Sequence, residues 1–460
     1  MDGNANERFT DYRMKSMCSR LFAYIDLKSI VVVLAVELGM MLVALYKGCG
    51  VSYIPISLVM MLFTVVGCIG STFAKADKKL FIIVIVLLNL GFLVQNIQDR
   101  GNGAVISALI KLTVVLGSAV IAFALYSRLS KWISEDKVVI GMMFLQYGIS
   151  IAVLFLGQLV GDRGDQGATI SIAGTTPFEF VKIMYIFVAA GLLCKDSDTI
   201  KIIKWEINRG IILFVHTAIL SIVFVLCSEL GTLMIVYITW LIMLHLFGSH
   251  NRWTAALKIV SAAGFVIVWL VSAKILFPIM VQNEGALPGI VSKIVRRFGA
   301  VFHPELYMND YGYQGTKGLM SIATGGWFGI GTERHRIDLP EANNDFIFAN
   351  IIETCGISIG IILIIFILAF VKRSTYIAEK CENNYSKGVT AGIACLIAVE
   401  SIIHIGYNMA LLPITGIPLY FLSQGFSAIV TSMCLVAILL VISTKIELES
   451  EETLSKEMTE

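Results

Sequence analysis

The chain alternates long apolar runs with short polar breaks, and the runs are of similar length. A helix rising 1.5 Å per residue needs about 20 apolar residues to cross about 30 Å of hydrocarbon. Twelve segments come close: 29–46, 53–73, 79–98, 104–126, 137–156, 178–194, 210–227, 231–248, 254–276, 345–371, 389–411 and 417–443. The first and sixth are the least apolar, because they carry Glu37 and Glu179. This pattern predicts an all-α polytopic membrane protein with about 12 transmembrane helices. The first run follows a polar, mixed-charge stretch, so it reads as a signal anchor that stays in the mature chain.

Composition supports the same class. Of 460 residues, 57% are hydrophobic and 15% charged, more apolar surface than a soluble core can hide. The net charge of +2 leaves no footprint for nucleic acid. Nine cysteines make an odd number, and Cys68, Cys194, Cys227, Cys395 and Cys434 lie in or beside apolar runs without metal-ligand spacing. Neither a disulfide framework nor a metal cluster is expected.

The distribution of charge says more than its total. Alternate loops hold Lys75, Lys78 and Lys79; Arg128, Lys131 and Lys137; Lys195, Lys201, Lys204 and Arg209; and Lys372, Arg373, Lys380 and Lys387. The loops between them carry little beyond Lys47, Arg100 and Arg163. Short cytoplasmic loops are the basic ones, so both termini are expected in the cytoplasm and the long loop 277–344 outside.

That outer loop breaks the rule, with Lys293, Arg296, Arg297, Lys317, Arg334 and Arg336. Long loops translocate regardless of charge. The alternative is an anion site at the membrane surface, for which the paired donors of arginine suit phosphate. Within the loop, KGLMSIATGGWFGIG (Lys317 to Gly331) is too short to span and too glycine-rich for a plain helix. A re-entrant segment held against protein or a wet cavity fits it. The Gly325-Gly326 pair by itself suits a packing turn equally. PEANNDFIFA (Pro340 to Ala349) then opens the tenth run, where Asn343, Asn344 or Asp345 serves as helix cap.

A cap explains neither Glu341 nor Glu353. Carboxylates buried among membrane helices face a cavity and pair with cations. Lys182 is close enough along the helix to pair with Glu179, and His404 with Glu400. Glu229, in SELGT, falls at the outer mouth of the eighth run. With no P-loop, dinucleotide fingerprint or nucleophile elbow, chemistry here would be carboxylate general-base work in an outward cavity. Arginine or a metal ion would bind the leaving group.

Several strings resemble one family. They are GATISIAGTTPFEFVK (Gly167 to Lys182), SELGT (Ser228 to Thr232), RRFGAVFHP (Arg296 to Pro304), GYQ (Gly312 to Gln314), SIATGGWFGIG (Ser321 to Gly331), LPEANNDFIFANIIE (Leu339 to Glu353) and NMALLPITGIPLYFLSQGFS (Asn408 to Ser427). In type and order they resemble the SEDS proteins, the FtsW/RodA/SpoVE group. The resemblance implies a SEDS-type bundle of ten spans, so two extra N-terminal spans, 29–73, would precede a core of 74–443. A cytoplasmic segment 1–28 and a charged cytoplasmic tail 444–460 would flank them.

It also implies an inverting peptidoglycan glycosyltransferase of the bacterial cytoplasmic membrane. Such an enzyme polymerises lipid II onto a glycan carried by undecaprenyl pyrophosphate, beside a class B penicillin-binding protein. An outer-loop Asp would be the base and a divalent cation, Mg or Mn, would sit at the pyrophosphate. Carried over, Asp310 or Glu305 would be the base and Arg296 and Arg297 the pyrophosphate ligands. Gln314, Lys317, Glu341, Asp345, Glu179 and Lys182 would line the substrate cavity. The family's Asp position is Tyr307 here, its Trp is Ser171, the Arg before it Ile170, and its His in PEAHTDFIF is Asn343. These departures keep open an impaired paralogue that binds lipid-linked precursor or scaffolds a cell-wall complex. A lipid transporter would call for internal repeats and paired broken helices, and no repeat is visible.

Overall fold

A computed structural model describes residues 27–46, 53–98, 102–160, 177–202, 205–248, 252–271, 274–275, 279, 289–302, 312–331 and 336–457. Among these the chain is nearly all helix. The N-terminal helices are α1 (Leu27–Tyr46), α2 (Tyr53–Phe73), α3 (Lys78–Gln98), α4 (Asn102–Ile133), α5 (Asp136–Val160) and α6 (Phe178–Leu193). After a small hairpin, β1 (Thr199–Ile202) and β2 (Trp205–Asn208), come α7 (Arg209–Leu226), α8 (Leu230–Phe247) and α9 (Arg252–Val271). The last are α10 (Gly289–Phe302), α11 (Tyr313–Gly325), α12 (Ile347–Cys355), α13 (Ile357–Lys380), α14 (Asn384–Asn408) and α15 (Phe426–Glu457).

Nine of these helices are long and apolar enough to cross a membrane: α2 to α5, α7, α8 and α13 to α15. The expected twelve are not all of that kind. In α1 and α9 the apolar stretches are only Ile30–Val43 and Thr254–Gly264, and α6 has 16 residues. Two predicted boundaries are corrected. The tenth run is two helices, α12 and α13, broken at Gly356. The twelfth does not start at Ile417, because the chain from Ala410 to Gly425 is irregular backbone, largely buried from Ile417 to Ser423, and α15 begins at Phe426.

The bundle is built around α14, which packs on α6, α8 and α13, while α15 crosses α4 and α3 lies against α13. Helices α1 and α2 pack on each other and on α3. Their fastening is polar: the buried Glu37 carboxylate of α1 accepts from Thr64 of α2 and from Asn89 of α3.

One end of the bundle is tied by ion pairs. Arg373 of α13 grips Asp77 with Nε at 3.0 and 2.8 Å. Arg209 of α7 grips Asp136 of α5 at 3.0 and 2.8 Å. Lys75 pairs with Glu451. The charged tail is therefore not a loose end, since α15 runs on through it to Glu457. The opposite end carries α11 and α12 and is called the loop-bearing end below.

Candidate functional site

The loop-bearing end gathers the ionisable groups that the apolar helices otherwise lack. α6 starts there, and its first turn brings Glu179 and, one turn on, Lys182 to the same face. The Lys182 ammonium is 2.8 Å from Glu179 Oε1, as the spacing predicts. It is also 3.1 Å from both carboxylate oxygens of Glu400, about two turns before the end of α14. The Tyr420 hydroxyl donates to Glu179 Oε2 at 3.0 Å, and the Lys182 ammonium lies 5.3 Å from the Tyr420 ring centre. All four side chains are buried.

The predicted Glu400–His404 pair is not what forms. His404 Nδ1 meets the carbonyl of Ile417 at 2.7 Å and the hydroxyl of Tyr407 at 2.9 Å. Glu400 turns instead to the cation on α6. Tyr420 was not singled out by the sequence, because its segment reads as one more apolar helix.

Glu229 joins this cluster from the turn between α7 and α8, where Ser228 takes a positive φ of 61°. Its carboxylate accepts from Thr232 at 3.2 Å. Burial raises its proton affinity, while Thr232 and then Lys182 pull it down, Glu179 raises it and Arg297 pulls it down again. Arg297, on α10, therefore stands within the electrostatic reach of the cluster. Arg296 is half-buried beside it.

Gln314 and Lys317 lie in the first turns of α11, both half-buried, with the Lys317 ammonium 5.6 Å from the Tyr313 ring centre. The segment expected to be re-entrant is only partly irregular: Lys317 to Gly325 continues α11, and the turn after it is laced onto the α12–α13 break. Ile330 N donates to Glu353 O at 2.8 Å, Gly331 N to Thr354 O at 3.0 Å and Ile357 N to Gly326 O at 2.8 Å. Backbones approach so closely here that a Cβ on Gly329 would stand 2.3 Å from Thr354 O, and one on Gly356 2.2 Å from Trp327 O.

The buried Glu353 finds the cation its burial calls for. Arg336 Nη2 is 3.2 Å from Glu353 Oε2, and Ile337 N donates to Oε1 at 2.7 Å. Arg336 also donates to Asn350, which in turn donates to Asn343 Oδ1 at 3.0 Å. Arg336 is thus spent inside the protein, where the sequence counted it towards an anion site.

Glu341 is exposed and accepts from Asn344 at 3.0 Å. Asp345 is held by its backbone, whose carbonyl accepts from Asn408 of α14 at 2.9 Å. Its carboxyl is pushed up to about 6, by burial first and by the Glu341 charge second. Asp310 and Glu305, with Tyr307, Ser171 and Ile170, lie outside the described residues.

Arg296 and Arg297 on α10 thus stand near the buried cluster of Glu179, Lys182, Glu400 and Glu229. Comparison with known proteins agrees with this setting. The sequence profile of the FtsW/RodA/SpoVE family, described as cell cycle protein, matches residues 78–448. The match begins at the first residue of α3, so α1 and α2 stand before it. A probable peptidoglycan glycosyltransferase FtsW of Bacillus subtilis (strain 168) is 28% identical over 321 residues, 68% of this chain and 75% of that one. Stage V sporulation protein E of the same organism is 27% identical over 274 residues, 58% of this chain and 68% of its own.

Several solved structures share the fold. One is of a peptidoglycan synthase complex, described for the structural coordination of polymerization and crosslinking, with a TM-score of 0.58 at 17% identity. It covers 80% of this chain and 97% of the other. Another is the rod shape determining protein RodA of Thermus thermophilus, with a TM-score of 0.50 at 16% identity over 80% and 96%.

Proposed function

The chain belongs to the FtsW/RodA/SpoVE family, and from that premise we propose that it is a peptidoglycan glycosyltransferase that polymerises lipid II. It is a multi-pass membrane protein, and in this reading the loop-bearing end is the outer face of the bacterial cytoplasmic membrane. Lys75 lies in the turn before α3, and Lys78, Lys131, Lys137, Lys372 and Lys387 lie in the helix segments at that other end, which supports cytoplasmic termini.

The observation that carries the reading is the gathering of Glu179, Lys182, Glu400, Glu229 and Arg297 at one end of an apolar bundle. Buried charges cost several kcal/mol each even after relaxation. A bundle needs none of them to fold, so their placement is best explained by a polar substrate.

In the reaction, the 4-hydroxyl of lipid II gives its proton to a carboxylate and its oxygen bonds to the anomeric carbon of the strand. The bond from that carbon to the pyrophosphate breaks, the configuration inverts, and undecaprenyl pyrophosphate leaves with the electron pair. Arg296 and Arg297 bind the pyrophosphate and Asp310 or Glu305 is the base. Gln314 and Lys317 position the sugars, and the buried Glu179–Lys182 pair supports that cavity from within the bundle.

A Mg or Mn ion would neutralise charge on the leaving group. Among the described residues no three His, Cys, Asp or Glu side chains stand together as a metal site. Magnesium, however, is usually held by one or two carboxylates plus substrate phosphates. Asp345 with Glu341, whose charge acts on it, would supply such a pair.

The proposed partner is a class B penicillin-binding protein, supported by the shared fold with a peptidoglycan synthase complex. The decisive experiment is lipid II polymerisation by the purified protein with Mg or Mn, beside Asp310→Ala and Glu305→Ala. Polymer that disappears in one variant supports the enzyme and identifies its base. Tyr307 at the family's Asp position favours a second reading, a precursor-binding paralogue. That reading holds if no polymer forms and lipid II binding is retained but lost in Arg297→Ala.

A further inference from the structure

A second feature of the loop-bearing end is an apolar cleft of about 690 Å³ between α1, α3 and α13. It is lined by Gly39 and Val43 of α1, Leu90 of α3 and Ile362 of α13, with Phe328 and Ser358 at one end. The first two helices contribute from their C-terminal halves and α13 from its N-terminal half. All three therefore place the cleft in the same half of the bundle, one leaflet deep, next to the α11–α12 turn.

Its lining excludes a polar solute, and its size falls in the 300–1,000 Å³ range of ligand pockets. We propose that this cleft holds the polyprenyl chain of a lipid-linked substrate in the outer leaflet. The choice of lipid rests on the function proposed above, in which both reactants carry such a chain.

Continuity with the polar site argues for that occupant over a bulk phospholipid. Phe328 is 78% exposed at the cleft and belongs to the turn that closes α11, the helix of Gln314 and Lys317. Two residues further on, Ile330 N bonds the carbonyl of Glu353, whose carboxylate holds Arg336 and the backbone of Ile337. On the other side, Ser358 Oγ donates to Trp327 O at 2.8 Å. A chain seated in the cleft thus presses on the turn that is laced to the carbonyls of Glu353 and Thr354, and its headgroup leaves at the end of the bundle that carries α11 and α12. An unfilled cleft would forfeit dispersion contacts along α1 and α13.

Gly39 supplies the test. A Cβ there meets no atom within 4 Å, so the Gly39→Trp side chain starts into open space on a helix face that lines the cleft. Gly70 on α2 is equally open but does not line the cleft, and Gly70→Trp is the control. The full-length protein in phosphatidylglycerol nanodiscs would be irradiated with undecaprenyl phosphate carrying a diazirine in its chain, and the labelled peptides mapped.

Labelling is expected on α1 and α13 at the cleft. Unlabelled undecaprenyl phosphate should suppress it at least about fivefold, as should Gly39→Trp, while Gly70→Trp leaves it unchanged. Equal labelling of the cleft by a diazirine phosphatidylglycerol, undiminished by undecaprenyl phosphate, would overturn the proposal, as would labelling that survives Gly39→Trp. The readout needs no turnover. Labelling without polymer would count against the proposed activity alone, and polymer without cleft labelling against this inference alone.

Discussion

The Lys182 ammonium of α6 is 3.1 Å from each oxygen of the Glu400 carboxylate on α14, residues 218 positions apart in the chain. Glu179 takes the same cation at 2.8 Å. One lysine thus holds two buried carboxylates, and the three do not contribute alike. Lys182→Met leaves both acids without their cation, and removing one partner of a buried pair costs about 3–5 kcal/mol. Glu400→Gln removes the excess negative charge and leaves Glu179 paired. The expected result is a thermal unfolding midpoint in detergent that falls sharply in Lys182→Met and little in Glu400→Gln. Equal losses would show that the cluster is not organised by its cation.

The α12–α13 break depends on Gly356, with φ 95° and ψ 164°, a region open essentially to glycine alone. Gly356→Ala adds strain of about 1–3 kcal/mol and a Cβ 2.2 Å from Trp327 O. The turn must then leave the break. Limited proteolysis between α11 and α12 is expected to quicken, with polymerisation falling in step. Wild-type protection in the variant would refute the lacing.

Glu37 makes a separate claim about the N-terminal pair. Asn89 is buried and donates to its carboxylate, so Glu37→Leu leaves that amide without its acceptor, at about 1–3 kcal/mol. Glu37→Gln keeps an acceptor oxygen. The unfolding midpoint should drop in Glu37→Leu and stay near wild type in Glu37→Gln; an equal drop in both would mean that charge, not hydrogen bonding, holds α1 to α3.

Much of this was legible because length and apolarity are read directly. Most helices stand where the runs fall, and Glu179–Lys182 follows from helical spacing. The rest depends on contacts between distant segments. Glu400 meets Lys182 only after α6 and α14 pack, so the sequence assigned it to His404 on its own helix. The stretch from Ile417 to Leu422 is apolar enough to read as the start of the twelfth span, yet Gly416 at φ 67° and Phe421 at φ 69° bracket backbone that is largely buried without being helical. Its carbonyl at Ile417 is what His404 bonds. Gly356 interrupts an apolar run without interrupting its hydrophobicity, which hides the break from any window average. The β1–β2 hairpin, paired from Thr199↔Asn208 to Ile202↔Trp205, is too short to show a period.

The pH response of Asp345 joins stability to the proposed ion. Its folded value of about 6 lies above the ordinary 3.8, through burial and then Glu341. The fold therefore favours the neutral acid. That preference is fully present below the unfolded value and is lost as pH rises through about 6, above which the ionised carboxylate burdens the native state. One pKa unit corresponds to about 1.4 kcal/mol, so Asp345→Asn is expected to unfold later than wild type at pH 8. The difference should close towards pH 4. If Asp345 and Glu341 hold the ion, added Mn raises the wild-type midpoint at pH 8 and leaves that of Asp345→Asn where it was. A Mn effect of the same size in both proteins would move the metal away from this pair, while a midpoint difference independent of pH would remove the titration from Asp345.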